Sequence, residues 1–159
     1  MAEPVQRRDL KFESFDDVGA EVDRLHESGY TQNGNWNLAQ ACLHLTEWMR
    51  YPIDGYPKKS LPVRALMWMF KVTLAKGWRR KILSSGFSPG MPTDPKTAFP
   101  ADQAEEAEAI EELKETIRRF VAFEGEYHPS PLFGSFDKES QQSLQLQHCA
   151  HHLGFLEPK

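Results

Sequence analysis

NWNLAQACLHLTEWMRY, residues 35–51, repeats its apolar side chains at the spacing of an α-helix. Leu38, Ala41, Cys42, Leu45, Trp48 and Met49 fall three, four and seven residues apart, which gathers them on one face. Asn37 precedes the run with Gln40 three residues later, the pairing of a capping box. Pro52, Gly55 and Pro57 then end it. With no alternating-polarity strand of useful length elsewhere, this helix sets the expected class, all-α.

Outward from it, the same signals recur. Upstream, Ser14 and Asp17 cap a helix whose apolar positions are Val18, Val22 and Leu25, with Gly29 as its stop and TQNGN (31–35) as turn chemistry. Downstream, Pro62 opens a third helix that the pattern carries unbroken to Gly86. GFSPGMPTDPKTAFPA (86–101) holds four prolines and reads as an irregular connection, long enough to wrap the helices or cover a site. Asp102 is placed to cap a fourth helix running through residue 123, acidic at its start and basic near its end, as the helix dipole favours. GEYHPSPLFGSF (125–136) is a second irregular connector, and Asp137 caps a last helix over residues 138–156. Five helices with long Pro/Gly-rich connections, a four-helix bundle at their core, is the expected architecture.

The chain of 159 residues suits one domain, 1–159, with 40% hydrophobic and 26% charged residues. A net charge of −4 gives no global field to recruit nucleic acid or acidic lipid. The start lacks a signal-peptide core and no apolar run approaches the roughly 20 residues of a membrane span, so a cytoplasmic address is expected. Cys42 and Cys149 occupy apolar helix positions and read as small core residues; a redox pair or a metal ligand are the sharper alternatives.

Three of the six histidines lie in QLQHCAHHLGF, residues 145–155. At about 100° per residue, His148 and His152 fall inside the apolar arc of the last helix, and His151 falls outside it. One turn separates the inward pair, so both imidazoles can reach a common point. That leaves two readings: hydrogen bonds to a carboxylate or backbone carbonyl, or a metal, which needs a third ligand. His44, at the edge of the apolar face in the second helix, can supply it, whereas His26 lies at a helix end and His128 in a loop.

NWNLAQACLHLTEWMR and HCAHHLGF together resemble the opening of the second helix and the closing motif of the DinB-like (DinB/YfiT) helical-bundle superfamily. HPSPLFGSFDKESQQSLQLQHCAHHLGFL is similar to a bacterial domain-of-unknown-function branch with an HP…FG…HHLGF ending. The resemblance implies a four-helix bundle with a divalent metal, zinc or nickel, held by His44, His148 and His152. Relatives in that superfamily include S-transferases and an isomerase that use low-molecular-weight thiols. One departure is Cys149-Ala150 between the closing histidines, which sets a thiol three residues before His152 as a competitor for the metal.

The function expected is therefore a metal-dependent enzyme on a small-molecule substrate. It would be of the thiol-transfer type, or hydrolytic with the same ligands, and iron would be tolerated as the ion. Trp36, Trp48 and Tyr51 are the expected pocket. Glu47, one turn after His44, would orient that histidine or accept a proton, unless it is a solvated carboxylate. The rival is a non-catalytic metal- or ligand-binding protein on the same scaffold. A third reading concerns RALMWMFKVTLAKGWRRKIL (64–83), whose aromatics and cations suit a membrane or nucleic-acid surface. With a net charge of −4, we expect the aromatics to be core, with no nucleic-acid or membrane partner. Exposed aromatics there would instead point to a homodimer.

Overall fold

The computed structural model describes residues 6–88 and 105–159. Along the chain run α1 (Phe15–Ser28), β1 (Tyr30–Gln32), α2 (Leu38–Asp54), α3 (Leu61–Thr73), α4 (Ala75–Ser85), α5 (Glu106–Ala122), α6 (Lys138–Leu153) and β2 (Leu156–Pro158). The protein is mostly helical, as expected. No helix among the described residues is long and apolar enough to cross a membrane. Residues 89–101 of the proline-rich connection and the cap expected at Asp102 lie outside the described residues.

The caps read from sequence are in place. Ser14 and Asp17 form a reciprocal box at α1, Asn37 and Gln40 another at α2, and the Asp137 carboxylate accepts from the Ser140 N–H at α6. The periodic faces then meet in one core. Val18, Val22 and Leu25 of α1, Leu38, Cys42, Leu45 and Met49 of α2, Ile110, Leu113, Ile117 and Phe120 of α5, and Cys149 and Leu153 of α6 pack together.

Three boundaries differ from the sequence expectation. The second helix continues through Pro52 and stops at Gly55, whose φ of 99° suits glycine and whose N–H reaches the Tyr51 carbonyl. Pro52 has no N–H to give the carbonyl of Trp48, one turn back. Gln145 of α6 supplies the missing donor, its Nε2 lying 3.2 Å from that oxygen. The third helix is two helices, broken at Leu74. Thr73 turns its hydroxyl back to the Met69 carbonyl, and the Gly77 and Trp78 N–H groups share the Leu74 carbonyl. Side-chain back-bonding at Thr73, with Gly77 a turn further on, bends the chain there. The last helix ends at Leu153, and Leu156–Pro158 pairs antiparallel with Tyr30–Gln32, Thr31 opposite Glu157.

The segment around α3 differs most. The aromatics expected in the core are outside: Trp68 is 66% exposed and Leu61 76%, and α3 buries no residue. Its Phe70 edge finds cover, against Trp78 and Phe133.

Gly154 closes α6 against the N-terminal segment. The Arg8 N–H donates to its carbonyl at 2.8 Å. A Cβ at Gly154 would stand 2.8 Å from the Ala150 carbonyl oxygen and 2.9 Å from that of Arg8. Arg8 also reaches the Leu153 carbonyl and the buried Glu21 carboxylate, which Arg24 shares.

Candidate metal centre

α2 and α6 bring the histidines of two distant sequence motifs face to face. His148 Nε2 lies 3.0 Å from His152 Nε2, one turn along α6, and 3.3 Å from His44 Nε2 on α2. The three ligand atoms all fall within 4.8 Å of one another. His44 and His148 are buried and His152 partly so.

Hydrogen bonds alone do not account for this arrangement. A neutral imidazole nitrogen carries either one proton or one in-plane lone pair. His148 Nε2 can therefore satisfy one of its two nitrogen neighbours, not both. A tetrahedral ion about 2.0–2.1 Å from each nitrogen would hold imidazole nitrogens about 3.3 Å apart, close to the two contacts on His148. Burial, and after it the neighbouring histidines, hold His148 and His152 well below the usual imidazole pKa of 6.5. Both are therefore held neutral, the protonation state a metal ligand requires. Three histidines placed together in this way could hold a metal ion.

Aromatic rings wall the group. Trp36 stacks on His152, centroids 5.0 Å apart and planes 15° from parallel, and its ring centroid is 4.7 Å from that of His44. Trp48 stands edge-on to His148 at 5.2 Å, and its buried indole N–H meets no acceptor among the described residues. Tyr51 packs on the far side of Trp48 and on Tyr56, and makes no ring contact with a histidine among the described residues. Phe87 completes the wall at 5.0 Å from His148. Sequence reasoning missed Phe87, because the connector after Gly86 has no periodicity that would aim a side chain.

The remaining candidates lie elsewhere. Glu47 is outside the histidine group: its carboxylate faces Arg50 at 3.5 Å, and Arg50 also pairs with Glu112 of α5. His151 is outside too, with Nδ1 2.8 Å from Arg7 Nη1; burial and that guanidinium push its pKa down to about 4. Cys149 belongs to the core beside Cys42, both thiols fully buried and both raised by desolvation, so it does not compete for the metal position. His26 pairs with Glu106 at the surface. Phe87 and His151 also face a cavity of about 740 Å³ between α6, the end of α4 and the N-terminal segment.

Across residues 4–159 the chain matches the family described as "Protein of unknown function (DUF1569)", and it belongs to that family. No curated protein and no solved structure matches it.

Proposed function

We propose that this chain is a single DinB-like domain over residues 1–159, its core helices a four-helix bundle, acting as a divalent-metal-dependent enzyme on a small molecule with a low-molecular-weight thiol as cosubstrate. The observation that carries this is the convergence of three imidazole Nε2 atoms from α2 and α6 on one point. The two histidine motifs and the core drawn from four helices support it.

His44, His148 and His152 would hold the ion. When bound, zinc or nickel, or equally iron, supplies Lewis acidity that lowers the pKa of a neighbouring thiol or water. The chain does the rest. His148 and His152, neutral through burial, need lose no proton to become ligands. Trp36, Trp48 and Phe87 exclude bulk water from the histidines' ring faces. The indole N–H of Trp48, without an acceptor among the described residues, would donate to a polar atom of the substrate. Glu47 faces Arg50 at 3.5 Å, so no proton transfer is assigned to it. The lack of a carboxylate in the histidine group, among the described residues, favours non-catalytic metal or ligand binding as the second reading.

Elemental analysis of protein purified without nickel resin, beside His44→Ala and His148→Ala, tests the site. About one equivalent of metal, lost in both variants, is the expected result. Protein that stays metal-free after zinc, nickel and iron are added sinks the proposal. If metal is held, screening thiols against electrophiles separates the enzyme from the binding protein.

A further inference from the structure

The exposed surface of α3 and α4 has no role in the histidine site. Leu61, Ala65, Trp68 and Val72 recur at helical spacing and form one exposed apolar row, with Met69 on its flank and the exposed Leu66 towards the opposite side. Arg64 and Lys71, one turn either side of Trp68, edge that row. On α4 the row Leu74, Trp78 and Lys81 repeats the mixture, and Lys76 and Arg80 are exposed beside it. Apolar side chains cover most of the circumference of α3, a distribution that ordinarily means burial on several sides. Yet Trp68 is 66% and Leu66 61% exposed.

Charge identifies what covers this surface. Between Gly55 and Ser85 lie eight of the nineteen Lys and Arg residues and none of the twenty-three Asp and Glu. The chain is therefore bipolar: a net charge of −4 hides a strongly cationic helix pair on an acidic body. A second copy meeting this face with its own would oppose the six cations of α3 and α4 with six, since a two-fold interface joins a surface to itself. Nucleic acid would stack on Trp68 and Trp78 and pair with the cations, but would leave the exposed aliphatic Leu61, Leu66, Val72 and Leu74 without a partner. An anionic bilayer suits both halves. Trp, Leu, Met and Val enter the headgroup boundary, and the flanking Lys and Arg meet acidic headgroups.

We infer that α3 and α4 form a peripheral docking surface for anionic lipid membranes. The body hangs from them through α4, whose buried Ala75 and Ile82, and whose Leu83 carbonyl accepting from Gln147 of α6, fix it to the rest. The docked face is thus rigidly joined to the helix that carries His148 and His152.

Vesicle flotation tests this with phosphatidylcholine alone and with phosphatidylcholine mixed with phosphatidylglycerol. Full-length protein is expected to float with the mixed vesicles at least about tenfold better, with the difference lost in high salt. Leu66→Ser/Trp68→Ser and Lys76→Glu/Arg80→Glu change only exposed side chains. Each should cut binding about tenfold with the circular dichroism spectrum unchanged. His44→Ala should bind as the parent does, which separates this surface from the metal site. Equal flotation with both vesicles, none with either, a concentration-dependent dimer that Trp68→Ser abolishes, or a DNA mobility shift without lipid binding would each overturn it.

Discussion

The Gln145 side chain of α6 donates to the Trp48 carbonyl of α2 at 3.2 Å, the one acceptor in that turn that Pro52 cannot serve. A proline that looks like a helix stop is thus part of the joint between the two helices that carry the histidines. Gln145 is 2% exposed, so losing its amide strands a carbonyl with little access to water. Gln145→Leu should cost about 1–3 kcal/mol in urea unfolding. Pro52→Ala restores an intrahelical N–H, and adding it to Gln145→Leu should recover part of the loss. If the two effects simply add, the joint is not what the geometry says.

Acid should weaken the metal-free protein through three histidines, His148 and His152 together with His151, which burial and Arg7 push down to about 4. All three titrate near 6.5 when unfolded, and burial lowers each in the fold. Between those values the unfolded chain binds more protons. Their contribution is therefore complete above pH 6.5 and lost as pH falls below it towards the folded values. The slope is up to about 1.4 kcal/mol per pH unit for each group. Urea midpoints from about pH 7.5 to about 5.5 should fall steeply below 6.5, and less steeply in His148→Gln. A flat profile would mean that the imidazoles are not buried.

Cys42 and Cys149 should be inert. Both are fully buried in the core, and desolvation disfavours their thiolates. Neither should react with a thiol reagent until urea unfolds the chain. Cys149→Ala should leave metal affinity within about twofold while destabilising the fold by about 1 kcal/mol. A Cys149 variant that loses the metal would restore the thiol to the ligand set.

The Trp36 indole fixes the plane of His152. Trp36→Ala should weaken metal binding about tenfold in competition with a chromophoric chelator, because the ligand ring regains freedom that binding must then remove.

The histidine group was legible because a helix converts spacing into direction. Placing His148 and His152 inward and His151 outward needed only the angle per residue, and the caps at Ser14, Asn37 and Asp137 needed only local donors and acceptors. What stayed hidden depends on partners remote in sequence. Strands of three residues, Tyr30–Gln32 and Leu156–Pro158, are too short to show alternation and exist because they meet. Trp68 and Leu66 carry the same hydropathy buried or bare, so the pattern of α3 could not reveal its exposure. Phe87 sits where the chain has no repeat at all.

Gly154 gives the closing motif a second meaning. Its φ of −61° is open to any residue, so its backbone conformation does not call for glycine. The main chain at Arg8 crosses so closely that even a methyl group would collide with its carbonyl oxygen, and with that of Ala150 one turn back in α6. HHLGF is then two messages written over one another. The histidines spell chemistry and the glycine spells clearance. Substitution at Gly154 should dislodge the N-terminal segment while sparing the imidazoles, and the motif would break in halves that fail in different ways.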